Sequence, residues 1–299
     1  MPHALDTHRA TWRSPAKVNL CLRVVGRRAD GYHLLDSIFV PLDLHDDVAI
    51  AVAGARPGRA TSVRVEADDP EVPCDESNLA ARAARDLLAA CGLGADVHVR
   101  LTKRIPAGAG LGGGSGNAAT VLAGLRELLG LDVTPAELAA VGLRLGADVP
   151  FFLQGRAARV RGIGEDVCPL ADWPDLALVV AIPPVHVSTA WVFRAFREAV
   201  ALDARPVEAP EPAALAAGAA PTPELLVNDL ERVVLPAFPM VRALKERLRA
   251  AGATAAVMSG SGSAVVGVAP NPAAAAEIAA TLGREDPALR VHAVTAPVG

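Results

Sequence analysis

One short stretch, residues 106–119, constrains this chain more than any other part of its sequence. It reads Pro-Ala-Gly-Ala-Gly-Leu-Gly-Gly-Gly-Ser-Gly-Asn-Ala-Ala, and six of the nine positions from Gly108 to Gly116 are glycine. A helix is predicted directly afterwards, over residues 118–129. Backbone N–H groups without side chains around them can converge on an anion, and a helix N-terminus adds positive partial charge. The stretch therefore predicts a phosphate-binding loop in preference to a flexible surface loop.

Two common nucleotide-binding motifs do not explain this loop. The P-loop pattern Gly-x-x-x-x-Gly-Lys-Ser/Thr is absent. Gly108, Gly110 and Gly113 fit the Gly-x-Gly-x-x-Gly pattern of dinucleotide-binding folds, and Asp132 lies about twenty residues further on. That fold needs the acidic residue at the end of a second strand, whereas Asp132 lies between two predicted helices. A dehydrogenase is therefore not favoured, and without a Gly-x-Ser-x-Gly elbow neither is a hydrolase of that class.

Apolar periodicity and turn chemistry predict an alternation of strands and helices. Ser77 is expected to cap the first helix, a Thr134-Pro-Ala-Glu capping box to start the third, and Gly146 to end it. The segment 204–223 is rich in Pro and Ala and is predicted to be flexible. Strands are predicted over residues 17–25, 40–52, 61–67, 97–101, 255–258, 264–268 and 290–294, and helices over 78–91, 118–129, 134–146, 237–250 and 273–282.

Composition limits the class of protein. The hydrophobic fraction of 52% supplies enough apolar residues for real cores, which excludes a disordered chain. The net charge of −4 argues against nucleic-acid binding by bulk charge. No apolar stretch reaches the about 20 residues of a membrane-spanning helix, and residues 1–13 lack the apolar region of a secretory signal. Four scattered cysteines are typical of reduced thiols, so we expect a cytoplasmic protein.

Four further motifs carry residues suited to chemistry. Asp148 follows a predicted helix and precedes an apolar run, and Lys17 is one of three lysines among 29 basic residues. A lysine kept against that arginine background indicates a need for a compact point charge. Tyr32, the only tyrosine, precedes a histidine and could stack on a planar ligand. A Gly/Ser turn over residues 258–263 joins two predicted strands. Lys103 and Arg104, just upstream of the glycines, are expected to be solvated.

Three of these features, in this order, resemble the GHMP family of small-molecule kinases: the lysine-bearing first strand, Pro-x-Gly-x-Gly-Leu-Gly-Gly-Gly-Ser and the late Gly-Ser-Gly loop. The resemblance runs over about residues 14–294 and is closest to the branch that acts on a cytidyl-diphosphate substrate. The segments that carry the closer resemblance are Pro15-Ala-Lys-Val-Asn-Leu, Gly26-Arg-Arg-Ala-Asp-Gly-Tyr-His, Gly146-Ala-Asp-Val-Pro-Phe-Phe and Met258-Ser-Gly-Ser-Gly.

The resemblance implies an α+β fold with the two-domain GHMP kinase architecture, a ribosomal-protein-S5-like N-terminal domain and a ferredoxin-like C-terminal domain. The expected boundaries are 1–163 for the ATP-binding, catalytic domain and 164–299 for the substrate-binding domain, with the flexible segment 204–223 in the latter. The resemblance also implies ATP-dependent phosphorylation of the 2-hydroxyl of a cytidyl-diphospho-methylerythritol, on the methylerythritol phosphate route to isoprenoids. The expected partner is this small molecule, with no nucleic acid and no membrane, and the chain is expected to be a monomer or homodimer.

The same resemblance assigns the catalytic and nucleotide-binding residues. Asp148 would be the general base that takes the hydroxyl proton, and Lys17 would orient the hydroxyl and offset negative charge. Asn78 and Leu79 match positions near adenine, and Mg²⁺ would bridge the ATP phosphates. The segment that would hold those phosphates consists of Pro106, Ala107, Gly108, Ala109, Gly110, Leu111, Gly112, Gly113, Gly114, Ser115 and Gly116, with Ser115 as the hydroxyl best placed to help.

The substrate would meet Asn19, Tyr32, His33 and Phe193, with cytosine between Tyr32 and Phe193. One departure from the family pattern is Gly116, where the family usually has Ser; this removes one potential phosphate donor and leaves the backbone N–H groups. Two alternatives stay open. One is a sister kinase acting on another alcohol, such as homoserine or mevalonate. The other is an RNA-binding module, which the net charge of −4 and the lack of an aromatic and basic stripe disfavour.

Overall fold

The structure is a computed structural model that describes residues 7–171, 173–200 and 209–296. The part of the predicted flexible segment up to residue 208 lies outside the described residues. Within the described ranges the strands are β1 (Thr7–Arg27), β2 (His33–Pro57), β3 (Ser62–Ala67), β4 (Leu93–Thr102), β5 (Ala158–Gly162), β6 (Asp166–Pro169), β7 (Leu176–Ile182), β8 (Ala255–Met258), β9 (Val265–Ala269) and β10 (Arg290–Ala296).

The helices contain or overlap every helix predicted from the sequence, with differences in their bounds. They are α1 (Leu79–Ala90), α2 (Gly113–Leu129), α3 (Pro135–Leu145), α4 (Val149–Gln154), α5 (Thr189–Ala199), α6 (Pro210–Ala216), α7 (Glu231–Ala237), α8 (Pro239–Ala250) and α9 (Pro272–Glu285). The mixture of helices and sheets confirms the predicted α+β class.

The chain forms two compact units whose sequences interleave. Counting only the described residues within these bounds, the first comprises Met1–Ala16, His45–Ala107 and Gly113–Gln154, and the second comprises Lys17–Leu44, Gly108–Gly112 and Gly155–Gly299. The glycine-rich segment therefore contributes residues to both units, and so do β1 and β2. The division of the chain into domains at residue 163 stays a prediction.

In the first unit, residues 47–57 of β2 pair antiparallel with β4, and β3 pairs parallel with β4. Alternate residues of β4 point inward, so Val97, Val99 and Leu101 join the core while Arg100 is exposed. Helices α1, α2 and α3 supply the apolar side of this core. The start of α2, where the glycines lie, is thereby fixed on a packed helical layer.

In the second unit, β7 to β10 form an antiparallel sheet in the order β10-β7-β9-β8. Every residue of β8 and β9 is buried, so both faces of these strands are covered. Residues 35–39 of β2 pair antiparallel with β5, which pairs with β6. A separate apolar cluster fills this unit, with Phe196, Leu244 and Met258 among its buried members.

Local chemistry explains several helix termini. The Thr134 capping box and the end of α3 at Gly146 are confirmed. Ser77 is not the cap of α1, because the side chain of Asn78 accepts the Ala80 N–H at 2.8 Å. Helix α2 begins five residues before the predicted residue 118. The predicted flexible segment is partly wrong, since Pro210–Ala216 is helical and buries Leu215 completely. Among the described residues, no helix combines the length and apolar character that crossing a membrane would need.

Candidate active site

Strand β1 presents two predicted site residues on one face, because side chains two positions apart in a strand point the same way. Lys17 and Asn19 are 4% and 1% exposed. The Lys17 ammonium donates to Asn19 Oδ1 at 2.7 Å and lies 4.6 Å from the centroid of the Phe39 ring. The Asn19 amide donates to Ser37 Oγ at 3.0 Å. The ammonium is thus held in a fixed position by an amide oxygen and an aromatic face.

Residues 108–112 of the glycine-rich segment are tied to β1 and to the Gly/Ser loop, residues 258–263. The Lys17 N–H donates to the Leu111 carbonyl at 2.9 Å, and the Ala264 N–H donates to the Ala109 carbonyl at 3.1 Å. Gly110 has a φ of +79°, and a Cβ there would lie 2.4 Å from the Ser259 carbonyl oxygen. Position 110 therefore requires glycine both for its backbone conformation and for the close approach of the two loops.

The Gly/Ser loop is fixed by residues that the sequence reasoning did not single out. Ser259 Oγ accepts the Asn19 N–H at 3.2 Å and donates to the Gly110 carbonyl at 3.1 Å. The buried Asn228 amide donates to the carbonyls of Met258 and Gly260, both at 2.8 Å. Thr189 Oγ1 lies 2.7 Å from Ser261 Oγ. In the sequence, Asn228 is marked only by the pair Asn228-Asp229 shortly before a helix, and such a pair is also common in ordinary turns.

The predicted cytosine-binding residues lie in the second unit. The His33 and Phe193 rings are 5.2 Å apart between centroids and tilted by 31°. Tyr32 is 62% exposed. Within the described residues, Nε2 of His33 is buried and has no hydrogen-bond partner. Burial lowers the pKa of His33, and the charges of Arg27 and Arg197 lower it further. A neutral imidazole with one unsatisfied nitrogen is suited to bind a polar group of a ligand.

The first unit holds the remaining part of the glycine-rich segment. Gly113, Gly114, Ser115 and Gly116 form the first turn of α2, whose N–H groups have no partners within the helix. A Cβ on Gly116 would lie 2.9 Å from the Pro15 carbonyl oxygen and 3.0 Å from Ser14 Oγ. Close backbone packing thus accounts for glycine at the position where the family usually has serine.

One further predicted residue, Asp148, lies near this helix start. Asp148 is half-buried in the three-residue connection between α3 and α4. A Cβ on Gly146, two residues before it, would lie 3.7 Å from Ser115 Oγ, so the turn and the Ser115 hydroxyl are close. The carboxylate therefore precedes α4, where the helix dipole favours negative charge, and does not belong to the end of α3.

The two residues predicted near adenine are also at this end of the first unit. Asn78 is the N-cap of α1, and its amide donates to the Pro73 carbonyl at 2.6 Å. Leu79 is half-buried, and its Cδ1 would lie 3.8 Å from a Cβ on Gly114. The structure therefore brings Asn78, Leu79 and the helix-start glycines together, with an apolar side chain next to the first turn of α2.

The prediction that Lys103 is solvated is wrong. Its side chain is 6% exposed and pairs with the fully buried Asp46, and its ammonium also donates to Asn117 Oδ1 at 3.0 Å. Arg104 does lie at the surface, where it pairs with Asp47 and where that pair lowers the pKa of Asp47. No group of three or more His, Cys, Asp or Glu side chains suited to a metal is found in the described part of the chain.

Comparison with known proteins defines the class. A model described as "GHMP kinases N terminal domain" matches residues 78–156, and one described as "GHMP kinases C terminal" matches residues 213–288. Together they match about half of the chain and lie on either side of residue 163. The chain belongs to the GHMP kinase family, whose kinase activity implies ATP as the phosphoryl donor.

Individual proteins that are similar to most of this chain carry a name more specific than that of the family. A 4-diphosphocytidyl-2-C-methyl-D-erythritol kinase of Symbiobacterium thermophilum is 46% identical over 257 residues, covering 86% of this chain and 89% of that protein. The kinase of the same name from Citrifermentans bemidjiense is 42% identical over 275 residues, covering 91% and 93%. A crystal structure of 4-(cytidine 5'-diphospho)-2C-methyl-D-erythritol kinase superposes with a TM-score of 0.76 at 41% identity, covering 97% of this chain and 100% of that chain.

Proposed function

We propose that this chain is an ATP-dependent kinase that phosphorylates the 2-hydroxyl of 4-diphosphocytidyl-2-C-methyl-D-erythritol, a step on the non-mevalonate route to isoprenoid precursors. The observation that carries the proposal is the identity of 42–46% to kinases of that name over 86–91% of this chain. The kinds of residue present support it, because a buried ammonium, a carboxylate and a glycine-rich helix start are groups that phosphoryl transfer uses.

Asp148 is the proposed general base. In the reaction the substrate hydroxyl oxygen bonds to the γ-phosphorus of ATP, the bond from that phosphorus to the bridging β–γ oxygen breaks, and ADP leaves. The hydroxyl proton passes to the Asp148 carboxylate. The half-buried turn before α4 leaves this carboxylate partly accessible to a substrate.

Lys17 is the proposed electrostatic partner. Its ammonium donates to Asn19 Oδ1 and is almost completely buried, so its charge acts in a medium of lower dielectric constant than water. A fixed positive charge stabilises negative charge that develops on the transferred group without reorganising during the reaction. We propose that Asn19 orients this ammonium and also contacts the substrate.

The glycine-rich segment, residues 106–116, is the proposed site of the ATP phosphates, with Asn78 and Leu79 beside adenine. Mg²⁺ is typically bound by proteins through one or two oxygen ligands together with substrate phosphates. The Ser115 hydroxyl is the side-chain oxygen of this segment that would hold it. When bound, the ion would neutralise negative charge on the ATP phosphates.

Tyr32, His33 and Phe193 are the proposed cytosine site. Aromatic faces stack on bases, and the exposed Tyr32 side chain is free to close on a ligand. The unsatisfied Nε2 of His33 offers a hydrogen bond to the polar edge of cytosine. Stacking between Tyr32 and Phe193 combined with this hydrogen bond would distinguish a cytidyl substrate from a simple alcohol.

An assay of ADP release tests the proposal. The cytidyl substrate should support turnover, whereas homoserine and mevalonate should not. Asp148→Asn should reduce kcat by about 10²- to 10⁴-fold because a general base is lost, with the unfolding midpoint little changed. The matched control is Asp132→Asn, which removes an exposed carboxylate from the α2–α3 connection of the same unit. Near-normal activity of Asp148→Asn, or turnover of another alcohol in place of the cytidyl substrate, would contradict the proposal.

A further inference from the structure

A cluster of four polar residues in the first unit lies outside the groups discussed above for catalysis. Asp46 is completely buried, Ser14 is 0% exposed and Asn117 is 3% exposed. Lys103 completes the group, with its side chain 6% exposed. We refer to these four residues as the Asp46 clamp. Burying this many polar atoms is unfavourable unless each is paired, so their arrangement calls for a physical explanation.

One oxygen of Asp46 holds the chain just before the glycine-rich segment. Its Oδ1 accepts the backbone N–H of Arg104 at 2.7 Å and that of Ile105 at 2.9 Å. These two residues immediately precede Pro106. Hydrogen bonds from backbone N–H groups to a carboxylate are charge-assisted and stronger than neutral ones. The entry to the segment is therefore fixed by a single carboxylate oxygen.

The other oxygen of Asp46 holds the helix that follows the segment. Its Oδ2 pairs with the Lys103 ammonium and accepts the Asn117 amide at 3.0 Å. Asn117 lies in α2, directly after Gly116, and its amide also donates to Ser14 Oγ at 3.0 Å. The Lys103 ammonium also donates a hydrogen bond to Asn117 Oδ1 at 3.0 Å. Both flanks of the segment 106–116 thus meet at one buried carboxyl group.

This arrangement has a consequence for ligand binding. A glycine-rich loop has high conformational entropy, and any part of it that must be ordered when phosphate binds reduces the affinity. Fixing both flanks before ATP binds shortens the part of the loop that must still be ordered on binding. It also fixes the orientation of the backbone N–H groups in the first turn of α2. The charge of Lys103 is offset by Asp46, so the clamp acts through position and does not supply net positive charge.

We propose that the Asp46 clamp is a positioning device that sets the nucleotide affinity of the phosphate loop, acting through both flanks of residues 106–116. The proposal rests on the proposed kinase function for the identity of the ligand, ATP. It assigns Asp46, Asn117, Lys103 and Ser14 no contact with the substrate or with the reacting atoms.

The sharpest variant is Asn117→Ala, because it removes the connection to α2 and leaves the ion pair between Asp46 and Lys103 in place. The dissociation constant for ATP, measured by titration calorimetry, and the KM for ATP should both rise about tenfold, since a hydrogen bond to a charged group is lost. The KM for the cytidyl substrate should stay within about twofold and kcat within about threefold. The matched control is Asp47→Asn, which removes a surface carboxylate paired with Arg104, just before the glycine-rich segment. This variant should leave nucleotide affinity unchanged.

A second pair of variants keeps the test decisive if stability changes. Asp46→Asn places an amide donor against the Lys103 ammonium and the Asn117 amide, and it should weaken ATP binding by tenfold or more. Adding Asn117→Asp exchanges the two side chains and restores donor-to-acceptor pairing as well as the single negative charge, so the double variant should recover most of the affinity. Unchanged ATP affinity in Asn117→Ala, or equal increases in both KM values, would overturn the proposal. A wild-type protein that binds ATP but does not turn over the cytidyl substrate would contradict the proposed function and leave the clamp testable by calorimetry.

Discussion

Gly110→Ala is the substitution whose effect the structure defines most closely. The backbone of Gly110 has a φ of +79°, and a Cβ would lie 2.4 Å from the Ser259 carbonyl oxygen and 3.1 Å from the Gly262 carbonyl oxygen. An L-residue in the left-handed region costs about 1–2 kcal/mol. Separating the two loops to relieve the contact costs roughly 1–3 kcal/mol more. The free energy of unfolding should therefore fall by about 2–5 kcal/mol.

The matched control is Gly114→Ala, four residues away in the same motif. Gly114 lies in the first turn of α2, and the nearest atom to its Cβ would be Leu79 Cδ1 at 3.8 Å, an ordinary contact. Alanine in a helix is favoured over glycine by about 0.5–1 kcal/mol, so this variant should be neutral or slightly more stable.

Urea unfolding followed by circular dichroism measures both free energies. A shift of the midpoint for Gly110→Ala with an unchanged m-value would show that stability itself is affected. Gly110→Ala should also weaken ATP binding in calorimetry, because Ser259 Oγ would lose its contact with the Gly110 carbonyl. Equal free energies of unfolding for the two variants would refute the assignment of separate roles to the two glycines.

Two further predictions concern the proposed cytosine site. Tyr32→Ala should raise the dissociation constant of the cytidyl substrate about tenfold through lost stacking, while ATP affinity and the unfolding midpoint stay unchanged because Tyr32 is 62% exposed; an equal loss of ATP affinity in calorimetry would count against it. The pKa of His33 is lowered from 6.5 in the folded protein, mainly by burial, so the unfolded chain takes up the proton more readily. The stability that His33 contributes is fully present above about pH 6.5 and is lost as the pH falls through its lowered pKa, so His33→Gln should flatten the pH dependence of the unfolding midpoint between about pH 8 and 5. An unaltered slope would contradict this.

Features set by neighbouring residues were predictable from the sequence. The capping box of Thr134 and Glu137 was predictable because its reciprocal hydrogen bonds join residues only three positions apart, and the structure confirms it. The glycine-rich loop and the strand carrying Lys17 were likewise visible as local patterns. The resemblance to the GHMP kinases implied the α+β class, and the family models and relatives confirm it.

Features set by distant contacts were not predictable. Glycine has low helix propensity, so the first turn of α2 is not favoured by its own residues, whereas its Gly116 packs closely against the Pro15 carbonyl oxygen and Ser14 Oγ. Helix α6 is rich in Pro and Ala, yet its Leu215 is completely buried and its Glu211 approaches Arg23. The burial of Lys103 depends on Asp46, which is 57 positions away in the sequence. The roles of Asp148 and Phe193 stay predictions.

The distribution of lysine in this chain follows from the same long-range contacts. Each of the three lysines is mostly buried, at 4% exposure for Lys17, 6% for the Lys103 side chain and 15% for the Lys245 side chain. Lys17 donates to Asn19, Lys103 pairs with Asp46, and Lys245 pairs with Glu231. An ammonium fits such sites because it is compact, whereas a planar guanidinium needs more space and more acceptors.

Each of the three lysines, or its partner, contacts either the Gly/Ser loop or the chain next to the glycine-rich segment. Lys17 faces Gly260 of the Gly/Ser loop, where a Cβ would lie 3.6 Å from the ammonium. The Lys103 partner Asp46 holds the entry to the glycine-rich segment through Arg104 and Ile105. The Lys245 partner Glu231 accepts the N–H of Met258 at 2.8 Å, where the Gly/Ser loop begins. Each of the three lysines in this arginine-rich chain therefore pairs with a residue that is itself bonded at the start of, or within, a loop that is proposed to hold phosphate or substrate.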